Sequence, residues 1–467
     1  MIHCFTCNGT HLLLDADSGA VHIVDALVKA LIPYFAEKDF DKALVAVKGV
    51  YTQEEAAEAW DELLELEKAG ALNTDYAYGD EFGKPAGVIK ALCLNVSHDC
   101  NLRCGYCFAG TGDFGTGRLL MPLETACAAI DFLIEKSGGR QHLEVDLFGG
   151  EPLMNWDVVA GTVAYGRARE KETGKSIRFT ITTNALALDD GKCAFINEEM
   201  ANVVLSLDGR KDVHDALRKT PAGTGSYDLV VDRAKKLARM RGGREHYVRG
   251  TYTALNTDFA RDVLALSDLG FEQISLEPVV TKDRRYALSG DDMPRIRVEY
   301  EKLARIYVQR RKNGKWLNFF HFMLDLTDAP CISKRLLGCG AGNEYVAVTP
   351  EGDIYPCHQF VGETDFKMGN VHAGTFDHVM QQRFAKMDIL HNNACRKCWA
   401  KYFCCGGCRA NAWKMNGDLQ KPHEMSCDIF KAHLECALWV HAYEKAYSES
   451  DQYADSIYMN EGGASHG

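Results

Sequence analysis

Three cysteines form a C-x3-C-x2-C array, Cys100-Asn101-Leu102-Arg103-Cys104-Gly105-Tyr106-Cys107, directly after a strand-like run. Thiolates this close on one loop can hold three irons of a [4Fe–4S] cluster and leave the fourth iron open to another ligand. Zinc is the rival for the same residues. A second array, Cys395-x2-Cys398-x5-Cys404-x3-Cys408 with Cys427 beyond it, follows Cys339-x12-Gly352-x4-Cys357. Iron–sulfur clusters and a pair of zinc ribbons compete for this array. Cys405 adjoins Cys404, and the x5 and x3 spacings favour Cys404 as the ligand. Cys4 and Cys7 lie in a strand pattern with no second pair nearby and read as strand residues. Cys93, Cys127 and Cys193 lie in apolar patterns and read as buried small hydrophobes. Cys436 falls on a helix, with no role assigned.

Eighteen cysteines in 467 residues invite a disulfide framework, but the N-terminus has no basic region followed by an apolar run, and a chain this long needs no staples. No apolar stretch reaches the roughly 18–20 residues of a membrane helix. The expectation is a cytoplasmic protein whose thiols are reduced and therefore free, catalytic or metal-bound. A net charge of −12 argues against a general nucleic-acid or anionic-membrane binder.

These arrays need a scaffold. Residues 1–85 read as two or three short strands (Thr10–Asp15 and Ala20–Val24 among them) followed by helices at Ala26–Ala36, Lys42–Val47 and Thr52–Lys68. The last helix opens with the capping pattern Thr52-Gln53-Glu54-Glu55. From 86 to 329, six strand-like runs alternate with helical stretches: Ala91–Val96, Leu143–Phe148, Ile177–Thr183, Val203–Leu207, Tyr247–Thr253 and Gln273–Leu276. Six βα units imply a parallel sheet closed as a full or partial barrel, with its chemistry at the C-terminal strand ends. Motif-like residues do fall there: Gly149-Gly150-Glu151-Pro152, Thr182-Thr183-Asn184 and Ser206-Leu207-Asp208-Gly209. Taken singly, each also reads as a plain turn or strand-end cap. Over 330–440 periodicity fades and ten cysteines take over, so metal is expected to organise a segment that buries little apolar surface. Residues 441–467 read as a polar tail.

With an aromatic residue before its third cysteine, the first array resembles the signature of the radical S-adenosylmethionine (SAM) superfamily. The resemblance implies a cluster on Cys100, Cys104 and Cys107 whose open iron is chelated by SAM, which is cleaved to a 5′-deoxyadenosyl radical. It places Tyr106 near the adenine and the SAM amino group against Gly149, Gly150 and Glu151. It brings Thr182, Asn184, Ser206 and Asp208 to the ribose and carboxylate, with Arg218 and Glu277-Pro278 nearby; Asp208 also admits a structural reading. The second array resembles the SPASM extension of peptide-modifying relatives. That implies two auxiliary [4Fe–4S] clusters, one on Cys395, Cys398, Cys404 and Cys427, the other on Cys339, Cys357 and Cys408, with Cys331 as candidate fourth ligand. The fold implied is α/β: a partial (β/α)6 TIM-like barrel between an N-terminal winged-helix-like α+β peptide-recognition domain and a C-terminal Cys-rich SPASM domain. The N-terminal unit would bind a leader peptide by strand addition; a plain structural cap is its rival.

Met1-Ile2-His3, Asp15-Ala16-Asp17-Ser18-Gly19-Ala20-Val21-His22, Gly338-Cys339-Gly340 and Tyr355-Pro356-Cys357-His358-Gln359 together resemble the maturases of SCIFF peptides, small Cys-rich precursors. That resemblance, which spans nearly the whole chain, implies a thioether between a precursor cysteine and the α-carbon of a threonine. Its implied partners are the leader-bearing precursor and reduced flavodoxin or ferredoxin as electron donor. The alternatives are an anaerobic sulfatase-maturating, formylglycine-forming enzyme and a non-catalytic iron–sulfur or zinc peptide-binding protein.

Overall fold

The computed structural model describes residues 1–74, 87–324, 326 and 332–448. Cys331, most of the linker before the barrel and the chain beyond Ser448 lie outside the described residues.

The N-terminal unit is an antiparallel meander of β1 (Ile2–Cys7), β2 (Thr10–Asp15) and β3 (Val21–Val24), followed by α1 (Ala26–Phe35), α2 (Phe40–Val47) and α3 (Gln53–Lys68). Strand alternation decides how it packs. Leu13 points into a small core with Leu31, Phe35, Trp60 and Leu63, while Leu12 and Leu14 enter the large core of the rest of the molecule. The sheet is thus covered on both faces. At the start of α3, the Thr52 hydroxyl accepts from the Glu55 N–H at 3.2 Å and the Glu55 carboxylate accepts from the Thr52 N–H at 2.8 Å, the capping box its residues spell.

Parallel strands β4 (Ala91–Ser97), β5 (His142–Gly149), β6 (Ser176–Thr183), β7 (Asn202–Ser206), β8 (His246–Tyr252) and β9 (Gln273–Pro278) pair in chain order and alternate with helices α4 (Leu123–Lys136), α5 (Trp156–Thr173), α6 (Asp190–Glu199), α7 (Lys211–Leu217), α8 (Tyr227–Arg241) and α9 (Ala260–Asp268). After α10 (Met293–Lys312), the short β10 (Asn318–Phe319) extends the sheet beside β9. On the other edge, β11 (Tyr345–Val348) lies parallel to β4 and continues through antiparallel β12 (Asp353–Tyr355), β13 (Gly369–Asn370) and β14 (Thr375–Phe376). Among the described residues this is one open sheet of eleven strands, a partial barrel.

Two expectations are corrected here. The Cys-rich segment does bury apolar surface: Phe360, Phe366, Phe384, Met387 and Leu419 form a cluster of their own with Ala347, Tyr355 and Cys357. Its contacts join residues far apart in sequence, so no local period announces them. The last helix, Glu424–Ser448, also runs past residue 441 into the stretch expected to be a polar tail. Leu438, Trp439, Val440 and Ala442 keep its buried stripe going, and Glu444 pairs with Arg311 of α10 at 3.0 Å. No described helix is long and apolar enough to cross a membrane.

Candidate functional site

The C-terminal strand ends surround an open cavity of ≈540 Å³. The loop after β4 carries the first cysteine array, and Cys100, Cys104 and Cys107 all line that cavity. The loop is held by its backbone. The Gly105 N–H donates to the Leu217 carbonyl at 2.9 Å, and Arg103 and Cys104 pair with Lys219 and Arg218 in a short antiparallel ladder. Asp99 accepts from the Cys100 N–H at 2.8 Å. Burial pushes the Cys100 and Cys104 thiols up to about 12; Glu151 adds to the rise at Cys100, and Arg218 partly offsets it at Cys104. Such thiols stay protonated until a metal takes the proton's place, which couples loading of the site to proton release.

Gly149 and Gly150 lock this loop to β5. A Cβ at Gly149 would lie 2.3 Å from the Ser97 carbonyl oxygen, and one at Gly150 2.3 Å from that of Asp99. The close approach lets the Gly150 and Glu151 N–H groups donate to Ser97 and Asp99 at 2.7 and 2.9 Å. The Glu151 carboxyl, 1% exposed, is raised to about 7 by burial, and the Asn184 N–H, the Thr183 hydroxyl and the Leu153 N–H only partly offset this. It accepts from Thr183 Oγ1 at 2.7 Å and from the Asn184 N–H at 2.8 Å. Thr182, Asn184 and Ser206 line the cavity, and Asn184 Nδ2 lies 3.6 Å from the Cys100 sulfur.

Asp208, expected beside a cofactor, stands behind the wall and is absent from the lining. It is fully buried and accepts from Arg218 at 2.9 and 3.0 Å, from the Tyr106 hydroxyl at 2.9 Å and from the Thr251 N–H at 2.9 Å. Its partners Tyr106 and Arg218 do reach the cavity, so Asp208 sets their positions from behind.

The second array meets the same cavity through Cys404, Cys408 and Cys427. Cys408 caps the helix Arg409–Asn416, and Cys404 ends the short helix Lys401–Cys404. Burial raises these thiols, and repulsion from neighbouring thiols adds to the rise. Cys404, pushed up to about 12, feels Cys427, Cys405, Cys395 and Cys398; Cys357, also raised, feels Cys408 and Cys339. Cys405 is in a left-handed conformation, φ +56°, and its neighbours include Cys339, Arg335 and Lys334. Among the described residues, no three His, Cys, Asp or Glu side chains are gathered as a single bound metal ion would gather them. The thiol donors that line the cavity fit iron–sulfur clusters.

Some lining residues were not singled out from sequence. Arg249 projects into the cavity from mid-β8, and Phe108, Asn411, His423 and Phe430 join it with His358 and Gln359. A charged residue inside a barrel strand was the available signal for Arg249. Near it, burial raises Asp146 to about 7, with Arg249 offsetting part of the rise. Burial alone would also raise Glu277. Instead His321 at 3.4 Å, Arg249 and the Ser275 hydroxyl at 2.8 Å hold its carboxyl well below the usual range.

Comparison with known proteins gives two family matches: the Radical SAM superfamily over residues 94–258, and SPASM, the iron-sulfur cluster-binding domain, over residues 339–399. The radical SAM cyclopropyl synthase TigE of Paramaledivibacter caminithermalis is 23% identical, over 73% of this chain and 72% of its own length. A cysteine-type anaerobic sulfatase-maturating enzyme of Clostridium novyi is 23% identical over 74% of this chain and 94% of its own. The mycofactocin maturase MftC of Mycolicibacterium smegmatis is 24% identical over 69% and 79%. Among solved structures, native anSMEcpe with bound AdoMet superposes with a TM-score of 0.62 at 20% identity, covering 75% of this chain and 97% of that one. Streptococcus suis SuiB bound to S-adenosylmethionine superposes at 0.52 and 18% identity, covering 89% and 96%. Both share the fold. The chain therefore joins a radical SAM domain to a SPASM domain and is homologous to the radical SAM maturases.

Proposed function

We propose that this protein is a radical SAM maturase of a ribosomally made, Cys-rich (SCIFF) precursor, joining a cysteine sulfur to the α-carbon of a threonine. That it is a radical SAM enzyme modifying a peptide or protein follows from the family matches and maturase relatives; thioether formation is the finer reading. The observation that carries it is the shared cavity. Thiols of the first array and of both auxiliary sets open onto the same ≈540 Å³, so a substrate can reach all three.

Bound there, [4Fe–4S] clusters and SAM supply a hydrogen-abstracting 5′-deoxyadenosyl radical and a place for the electron left over. Cys100, Cys104 and Cys107 are the proposed ligands of the first cluster, in a loop that Gly149 and Gly150 fix to β5. Thr182, Asn184 and Ser206 offer polar groups to SAM, and Glu151 orients Asn184 through its N–H. Tyr106 and Arg218, held by Asp208, close the wall behind it. Cys339, Cys357 and Cys408 serve one auxiliary site; Cys395, Cys398, Cys404 and Cys427 serve the other. Substrate enters with its leader on the N-terminal sheet, where β3 has no outer strand partner among the described residues. A small electron-transfer protein, flavodoxin or ferredoxin, supplies the initiating electron.

Sulfatase-type maturation is the second reading, favoured by a relative that matches over 94% of its length. One experiment separates the two. The protein is reconstituted anaerobically with iron and sulfide, reduced, and given SAM with a Cys-rich precursor or a sulfatase-type cysteine peptide. Loss of two hydrogens per new link, with the cysteine now resistant to alkylation, supports the thioether. An aldehyde trapped by a hydrazide supports formylglycine. Zinc in place of iron and no 5′-deoxyadenosine would reject both and leave a metal-stapled peptide-binding protein.

A further inference from the structure

Lys414 is a charged group beside the cavity, on the same helix as the lining residue Asn411, to which the site above gives no task. It sits in the helix Arg409–Asn416, which Cys408 caps. Its ammonium donates to Gln359 Oε1 at 3.4 Å and stands 5.6 Å from the centre of the Phe108 ring. Gln359 lies two residues after Cys357, and Phe108 directly follows Cys107. One cation therefore spans the loops that carry thiols of the first array and of the Cys339, Cys357 and Cys408 set.

Lys414 is half-buried, and no carboxylate lies within ion-pair distance of it among the described residues. Burial pulls it below its ordinary lysine value; Glu363 at longer range, then Cys357, Cys408 and Cys107, oppose that pull. A desolvated cation whose carboxylate, Glu363, stays beyond ion-pair distance is costly. Three thiolates around an iron–sulfur cluster form a net anion, and among the thiols that Lys414 feels, Cys357 and Cys408 of one set act more strongly than Cys107 of the first array. A fixed positive charge favours the more reduced, more negative state of its neighbour, and cluster potentials follow local charge.

We propose that Lys414 is the counter-cation of the Cys339, Cys357 and Cys408 site and raises its reduction potential, fitting it to take the electron that bond formation releases. This rests on the reading above. In that reaction the α-carbon gives its hydrogen atom to the deoxyadenosyl radical, the substrate thiol gives up its proton, and the carbon–sulfur bond forms. One electron remains, and this site receives it. Lys414 is a positioning residue, since it acts through the cluster and touches no reacting atom.

The test uses the full chain in a Cys100→Ala, Cys104→Ala, Cys107→Ala background, reconstituted anaerobically so that only auxiliary sites carry iron. Midpoint potentials are read by redox titration with electron paramagnetic resonance. In Lys414→Met, one of the two potentials moves to more negative values and the other stays. Lys414→Arg, which keeps the charge, restores it. If Lys414→Met loses about four irons while Lys414→Arg keeps them, the counter-charge role also stands. Both potentials unmoved with iron retained would overturn it, as would a shift shared by both sites. Iron lost from both variants would also overturn it, because the site would then need the shape of lysine and not its charge. If the parent takes up no iron, the maturase reading itself falls; iron that titrates without regard to residue 414 removes only the role of Lys414.

Discussion

At the scale of single residues, the site depends on atoms that a small substitution would displace. Gly150→Ala places a methyl group where the Asp99 carbonyl now sits, 2.3 Å away, so the cysteine loop must leave β5. Iron bound by the first array and 5′-deoxyadenosine production should both fall at least tenfold, with the fold retained by circular dichroism. Asp208→Asn removes the charge that balances buried Arg218. Breaking a buried pair on one side costs about 3–5 kcal/mol, which a urea titration should read as a lower midpoint. His214 gives a pH signature. It is fully buried between the Asp208 N–H and Ser226, and burial lowers it to about 4. A depressed histidine contributes stability above its unfolded value of about 6.5 and loses it as pH falls toward 4. Between pH 7.5 and 5.5 the wild-type chain should therefore lose about 1 kcal/mol more than His214→Gln. Equal losses would show that His214 tolerates its proton in the fold.

At the scale of elements, much was legible because local rules and the tertiary fold agree. The six barrel strands and their helices follow from alternating apolar periods, and the motif residues after β4 to β7 fall where parallel strands end. The capping box of α3 was spelled by four residues, and Thr52→Ala should cost about 1 kcal/mol, measured by thermal unfolding of the full chain. What escaped the sequence joins distant residues. β11 pairs with β4 across some 250 positions, Tyr345 beside Ala91. The Phe360, Phe366 and Phe384 cluster has no local period, so its segment looked dependent on metal alone. Asp208 looked like a ligand contact because its position after β7 is visible in sequence, whereas its burial behind Tyr106 and Arg218 is not. Arg249 went unmarked because a strand pattern records which face a residue takes and not what the opposite strands leave for it to meet.

At the scale of the whole molecule, the C-terminal helix joins the parts. Its Trp439 donates to Thr10 at 3.2 Å, its Glu435 meets His3 at 3.1 Å, and its Cys436 sulfur lies 3.8 Å from that of Cys7. His3 also stacks on Trp399 with ring centres 3.7 Å apart. Most consequential is Asp17, on the turn between β2 and β3, whose carboxylate pairs with Lys401 at 2.9 Å, the two side chains 7% and 8% exposed. Lys401 begins the short helix that ends at Cys404, a cavity thiol. The N-terminal sheet thus bears directly on the element that positions the cavity thiol of Cys404, a proposed cluster ligand. A peptide that shifted the sheet would be felt at Cys404 through this buried pair. Asp17→Asn takes the opposing charge from the Lys401 ammonium and should cost about 3 kcal/mol. Hydrogen exchange followed by mass spectrometry should then speed up in two places, strands β1 to β3 and Lys401–Cys404, and stay unchanged in β5 to β7. Faster exchange in the N-terminal sheet alone would mean that the pair only docks that unit. Faster exchange at both ends would mean that the N-terminal sheet and the Cys404 segment share one mechanical link.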